Sequence, residues 1–125
     1  MSHAQRYAQA QAETASRERL LVLLLEAAMR QMRAGAAAFE SGDVAAANRS
    51  LARAGDIVVE LRGTLRRSVA PELCDRLGDV YAFVCQRLLD GSARRQPAAV
   101  REAERALAPI ASAFAEAVAS LGAPR

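Results

Sequence analysis

The sequence contains a single histidine, His3, and little else that supports catalysis or metal binding. A nucleophile–base pair or a histidine-rich metal site needs imidazole groups that this chain does not supply. The sequence also lacks the Glu-x-x-His pairs of di-iron bundles and the glycine-rich loops that hold phosphates or dinucleotides. These absences predict that the protein is not an enzyme and uses no cofactor.

Long apolar runs are missing as well. Runs such as Leu20–Leu25 are far shorter than the roughly 20 residues that cross a bilayer. The only two cysteines, Cys74 and Cys85, lie about 16 Å apart along a helix axis, so they do not pair within one helix. The polar start of the chain has no signal-peptide pattern. We therefore expect a cytoplasmic protein with reduced thiols and no membrane insertion.

Lysine is absent, so all 17 basic side chains are arginines. Acidic residues are interspersed among them and the formal net charge is only +3, which is typical of a solvated surface. A modest basic cluster consists of Arg94, Arg95, Arg101 and Arg105. Because it lacks the interleaved aromatics of a nucleic-acid interface, we expect no nucleic-acid partner. Steeply salt-dependent binding would indicate one.

Four segments carry apolar residues at alternating steps of three and four positions, the spacing of helices that pack in bundles. No segment alternates with period two, so strands are not expected. Short connections make neighbouring helices antiparallel. The sequence therefore predicts an all-α, antiparallel up-down-up-down four-helix bundle over residues 17–121, after a short N-terminal arm over residues 1–16. The predicted helices span about residues 17–40, 44–67, 71–90 and 97–121.

Capping residues support these helix ends. Ser16 is the predicted N-cap of the first helix, and Asp43 that of the second. Pro71 and Pro97 suit the first positions of the third and fourth helices. Pro109 conflicts with the pattern, because proline inside a helix removes a hydrogen bond and clashes with the preceding turn, at about 3 kcal/mol. We therefore expect a kink or a break at Pro109.

The apolar surface exceeds what a small bundle needs. Leu20–Leu25 is apolar on every side of a helix, and Ile57–Val59 is similar. A second stripe in the third helix consists of Cys74, Tyr81 and Cys85. Because a bundle helix needs only one apolar face, the pattern leaves two interpretations, a centrally buried helix or a groove kept for a partner. Tyr7 in the arm also has two interpretations: its side chain is either exposed or docked in such a groove as a removable plug.

The arm and the first helix contain a recognisable pattern. Tyr7 is followed by Ala12 and then by Glu13-Thr14-Ala15-Ser16, and the first helix contains Leu24-Leu25-Glu26-Ala27-Ala28-Met29-Arg30. These residues resemble the flagellar export chaperone family, FliS. Its members carry Tyr, four variable residues, a hydrophobic residue and x-Thr-Ala-Ser-Pro, and later Leu-Tyr-Asp-Gly-Ala-Ile-Arg. Arg17 replaces the usual proline, Leu25 the tyrosine and Ala27 the glycine.

The resemblance continues through the later helices. The family pattern Ala-x-Asp-Ile-Ile is matched by Ala54–Val58, and Leu-Tyr-x-Tyr-Met by Val80–Val84. The last helix of the family ends in Leu-Arg-Glu-Ala-Trp, against Ile110–Phe114 here. The order of these matches along the chain favours a divergent member of the family.

The resemblance implies a cytosolic export chaperone. Its client would be the disordered C-terminal segment of flagellin, which it keeps from polymerising and passes to a flagellar export gate component of the type III apparatus. Clients of this family wrap around the bundle and fold against apolar grooves, which favours the groove interpretation. The expected client-binding residues are Tyr7, Ala12, Leu24, Ile57, Tyr81 and Phe83.

We expect the chaperone to be a monomer or a weak dimer. The alternative is a structural helical-bundle homodimer, or an adaptor, that buries the same apolar surface on itself.

Overall fold

The computed structural model describes residues 2–122, which form four α-helices joined by short connections. The helices are α1 (His3–Glu40), α2 (Val44–Gly63), α3 (Pro71–Arg94) and α4 (Pro97–Gly122). Each helix packs against two others, so that α1, α2, α3 and α4 follow one another around a ring. No strand occurs within residues 2–122. These observations confirm the predicted all-α four-helix bundle.

The core lies inside this ring and comes from the predicted apolar stripes. Its largest fully buried side chains are Leu25, Met32, Leu61, Leu107, Val58, Val84 and Val100. Small residues let α1 and α2 approach closely, since a Cβ added at Gly35 would lie 2.6 Å from Leu51 Cδ2. None of the buried residues in the described part of the chain is charged or polar. Burial of apolar surface therefore stabilises the fold.

The turn between α1 and α2 has the predicted capping chemistry. Gly42 adopts a φ of +82°, a left-handed conformation that glycine tolerates at the end of a helix. Asp43 then caps α2, because its Oδ1 accepts a hydrogen bond from the Ala46 N–H at 3.0 Å. Pro71 and Pro97 are the first residues of α3 and α4. The predictions for Asp43, Pro71 and Pro97 are thus confirmed.

The first helix begins at His3, so its predicted start at residue 17 is wrong. Ser2, and not Ser16, is the N-cap. Its Oγ accepts a hydrogen bond from the Gln5 N–H at 3.2 Å, and Gln5 Oε1 accepts one from the Ser2 N–H at 2.8 Å. The segment has no apolar stripe to reveal a helix, although its alanines and glutamines favour one. Residues 3–16, named the N-terminal extension below, are therefore helical.

Arg17 explains why the helix runs on without a break. A proline at this position would lack the N–H that bonds the carbonyl of residue 13, and its ring would clash with that carbonyl. The arginine keeps this bond and also reaches the C-terminal end of α2, where its Nη2 donates to the carbonyl of the C-cap residue Thr64 at 2.6 Å. The N-terminal extension is about 21 Å long. Apart from half-buried Ala15, its side chains are exposed.

Two other helix ends differ from the prediction. α2 ends at Gly63 and not at residue 67, and α3 runs to Arg94 and not to residue 90. The glycine at the predicted end of α3, Gly91, is buried against α4, where an added Cβ would lie 2.8 Å from Val100 Cγ2. This tertiary contact holds Gly91 inside the helix. Arg95 ends α3 with a left-handed φ of 53°.

α4 continues through Pro109, so the expected break is absent from the helix as described. Pro109 lies on the exposed side of α4, and so does Arg105, whose carbonyl loses its helical partner. A carbonyl on the solvent side of a helix is able to bond water in place of the missing N–H, which lowers the cost of the proline.

The close approach of α1 and α2 predicts the outcome of a glycine substitution. Gly35→Ala is expected to lower the free energy of unfolding by about 1–2 kcal/mol, because the added methyl meets buried Leu51. Gly55→Ala is the matched control, since no heavy atom lies within 4 Å of its added Cβ. The control is expected to raise stability by about 0.5–1 kcal/mol through helix propensity. Urea unfolding of both variants measures this, and equal effects would contradict the packing described.

Candidate functional site

An apolar groove of about 350 Å³ runs between α2 and α3, and we call it the α2–α3 groove. Its lining residues are Asn48, Leu51, Ala52, Gly55, Asp56, Val59, Cys85, Leu88, Leu89 and Ser92. α2 and α3 share the smallest of the four interfaces in the ring. The groove therefore lies where the bundle is least tightly closed.

The walls of the α2–α3 groove carry apolar side chains that the core does not cover. Val59 is 60% exposed and Leu89 is 71% exposed, although both are large and apolar. Ala52 and Gly55 have little or no side chain, so they leave space between these two side chains and the floor of the groove. One end is bridged by a hydrogen bond in which Ser92 Oγ donates to Asn48 Oδ1 at 2.8 Å. This shape suits a helix that lays apolar side chains into the groove.

A second groove, of about 430 Å³, opens at the end of the bundle where α2 stops, and we call it the end groove. Its apolar lining comes from α1, the α2–α3 connection, α3 and α4. These residues are Leu21, Leu25, Leu65, Val69, Ala70, Leu73, Cys74, Leu77, Tyr81 and Phe114. Arg17, which bonds Thr64, stands at its rim with Glu18 3.3 Å away. The end groove therefore has a fixed polar rim and an apolar floor.

Each groove contains one of the two free cysteines. Cys85 lines the α2–α3 groove and Cys74 lines the end groove. Burial raises the pKa of the Cys85 thiol, and the positive charge of Arg62 lowers it in part. Burial likewise raises the pKa of the Tyr81 phenol in the end groove. Both groups therefore stay neutral near pH 7, as an apolar binding surface requires.

The structure places Tyr7 and Ala12 on the N-terminal extension, away from both groove linings. Tyr7 is 67% exposed, and its hydroxyl accepts a hydrogen bond from Gln11 Nε2 at 3.2 Å. Ala12 is exposed as well. Of the two interpretations of Tyr7, the structure therefore shows the exposed side chain.

Leu24 and Ile57 pack against the core from α1 and α2 and are only partly buried. Ile57 and Val59 point about 200° apart around α2. Because Val59 lines the α2–α3 groove, Ile57 lies on the other edge of the helix. Leu24 and Ile57 are thus outside both groove linings.

Tyr81 and Phe83 are two residues apart on α3 and have different surroundings. Tyr81 is only 2% exposed and borders the end groove from within the core. Phe83 is 44% exposed and lines neither groove. The six residues predicted from sequence therefore do not form one continuous site.

Sequence reasoning missed most of the groove residues. Val59 and Leu89 each follow a residue of a predicted stripe, at the end of a short apolar run. An apolar residue next to a stripe was the signal in the sequence that could have identified them. The lining of the end groove depends on the α2–α3 connection, whose path the sequence does not reveal. Val69 and Leu73 belong to this group.

The two grooves offer apolar contact and no reactive constellation. Within residues 2–122, no three side chains of His, Cys, Asp or Glu come together in a way that would hold a metal ion. None of the described helices is both long enough and apolar enough to cross a membrane.

The raised pKa of Cys85 leads to a pH-dependent prediction. Only the thiolate reacts with iodoacetamide, so alkylation of Cys85 in the folded protein is expected to rise at higher pH than in the urea-unfolded chain. Mass spectrometry of a Cys74→Ala variant isolates the signal of Cys85. Coincident pH profiles for the folded and unfolded chains would contradict the burial of this thiol.

Comparison with known proteins identifies the family of this chain. The family model of the flagellar protein FliS matches residues 1–121. The flagellar secretion chaperone FliS of Bacillus subtilis (strain 168) is 27% identical over 114 residues, which cover 91% of this chain and 84% of the relative. The match extends over the N-terminal extension and all four helices. The chain therefore belongs to the FliS family and is a flagellar secretion chaperone, not an enzyme.

Proposed function

We propose that this chaperone binds the disordered C-terminal segment of flagellin in the cytoplasm. Binding keeps the segment from polymerising, and the complex is then delivered to the flagellar type III export apparatus. Membership of the FliS family supports the class of client. The observation that carries the proposal is the exposed apolar lining of the α2–α3 groove.

The α2–α3 groove suits a client helix with apolar residues on one face. Such a helix presents side chains at i, i+3 or i+4, and i+7, which fall between Val59 on one wall and Leu89 on the other. Each well-buried client leucine or isoleucine contributes roughly 1.5–3 kcal/mol. Ordering a disordered segment costs roughly 2–5 kcal/mol. Tight binding therefore needs several anchors at once.

The end groove supplies further anchor positions for the same client. The two grooves share α3, since Cys85 and Leu88 line one and Cys74, Leu77 and Tyr81 line the other. Between them lies a polar patch formed by Arg62, Leu65, Arg67, Asp75, Gly78, Asp79 and Ala82. A client that follows α3 would therefore bind through two apolar stretches separated by a polar one.

A matched pair of substitutions tests the groove. Leu89→Asp places a charge in the α2–α3 groove. It is expected to weaken binding of a flagellin C-terminal peptide by tenfold or more, about the affinity that one buried apolar side chain of the client contributes. Leu23→Asp is the control, because Leu23 is equally large, 61% exposed, and lines neither groove. It is expected to leave the affinity unchanged.

Isothermal titration calorimetry measures the affinities, and circular dichroism checks that both variants fold. Equal affinities for Leu89→Asp and the unmodified chain would remove the α2–α3 groove from the site. No binding by the unmodified chain at peptide concentrations of tens of micromolar would reject flagellin as the client.

The N-terminal extension gives a separate prediction. Deletion of residues 1–12 is expected to change the free energy of unfolding by less than about 0.5 kcal/mol, because residues 2–12 are exposed. Client affinity is expected to fall, because we propose that Tyr7 and Ala12 contact the client. Chemical unfolding and calorimetry measure the two effects. Loss of the fold would show that the extension belongs to the core.

A structural homodimer is the competing proposal, because a second copy would also cover Val59 and Leu89. Light scattering separates the two. A dimer that persists on dilution and in the presence of the flagellin peptide would favour the homodimer.

A further inference from the structure

One charged side chain, Asp56, lines the α2–α3 groove. The chain contains 17 arginines, yet Asp56 forms no ion pair within residues 2–122. Most other groove residues are apolar, so the carboxylate is the strongest electrostatic feature of this surface. It therefore faces whatever occupies the groove.

The backbone beside Asp56 allows a partner to come close. Ala52, Asp56 and Val59 are spaced at i, i+4 and i+7, which places them along one edge of α2. Nothing lies within 4 Å of the position that a Cβ would take at Gly55. A helix packed over Ala52 and Gly55 approaches the backbone of α2 and brings its own side chains within reach of the carboxylate. A lysine or arginine at that point would pair with Asp56.

A positive charge, Arg62, lies just outside the groove lining, in the polar patch between the two grooves. Arg62 follows Asp56 by six residues, about 9 Å along the axis of α2. It also makes no ion pair within the described part of the chain. Arg62 lies close enough to Cys85 to lower the pKa of this groove thiol. The groove thus has a negative side chain in its lining, and a positive one lies next to the lining, towards the C-terminal end of α2.

We propose that Asp56 and Arg62 select and orient the client helix by its charge pattern. The fitting helix carries Lys or Arg opposite Asp56, Asp or Glu opposite Arg62, and apolar anchors between them. In the opposite direction the same helix would place like charges together, which disfavours that orientation. This inference rests on the proposed function, since it names the chemistry of the client that the groove accepts.

Charge reversal at Asp56 tests the inference with a matched control. Asp56→Arg is expected to weaken binding of the flagellin C-terminal peptide by about tenfold at low salt, and Asp56→Asn by a few-fold. Glu26→Arg is the control, because Glu26 is exposed on the α1–α4 side of the ring, opposite the groove. Its effect is expected to stay below about twofold. The deficit of Asp56→Arg is expected to shrink at 0.5 M salt, roughly as screening predicts.

A compensating change in the peptide identifies the partner of Asp56. Each Lys or Arg of the peptide is replaced in turn by Glu, and each peptide is titrated against the unmodified chain and Asp56→Arg. One replacement is expected to weaken binding to the unmodified chain and to restore binding to Asp56→Arg. Circular dichroism confirms the fold of each variant, and Asp56→Asn gives the answer if Asp56→Arg does not fold.

Three results would overturn the inference: unchanged affinity for Asp56→Arg and Asp56→Asn, an equal loss for Glu26→Arg, or the absence of any compensating peptide. In each of these cases the unmodified chain still binds flagellin, so the proposed function stands. Failure of the unmodified chain to bind the peptide would reject both.

Discussion

The absence of a side chain at Gly35 sets how closely α1 and α2 pack, and the shape of the bundle depends on this contact. An added Cβ would lie 2.6 Å from Leu51 Cδ2, so the backbone of α1 at Gly35 packs directly against the Leu51 side chain of α2. On its other side α1 is joined to α4 by ion pairs, with Arg33 Nε 3.2 Å from Glu104 Oε2. α2 is thus held towards α1, and the interface between α2 and α3 is the smallest in the ring.

This division of contacts lets the molecule fold and keep a binding surface at the same time. The buried residues close the core without Val59 or Leu89, which remain mostly exposed. Occupation of the α2–α3 groove therefore does not require the core to open. Much of the apolar surface that looked excessive in the sequence lies in the ring interior or in the two grooves, whereas Leu20 and Leu23 are exposed outside both. A chaperone that stays folded when empty needs this separation of stability from binding.

Several parts of the fold that depend on local signals followed from the sequence, although the helix of the N-terminal extension was missed, and parts that depend on packing did not follow. The apolar stripes and the Asp43 cap act within a few residues, so pattern alone identified them. Gly91 looked like the start of a loop, because its contact with Val100 is a tertiary one. The site was harder still. Ile57 and Val59 look alike in the sequence, yet only Val59 lines the α2–α3 groove, because the neighbours of α2 decide which edge is covered.

Protection of Cys85 tests the central claim most directly, because this thiol lines the α2–α3 groove. The measurement is the rate of alkylation of Cys85 in a Cys74→Ala variant, with and without a saturating flagellin C-terminal peptide. A client helix in the groove covers the thiol, so only the fraction of molecules with an empty groove reacts. The alkylation rate is therefore expected to fall by roughly tenfold or more. An unchanged rate at full saturation of the peptide would contradict the claim that the client occupies this groove.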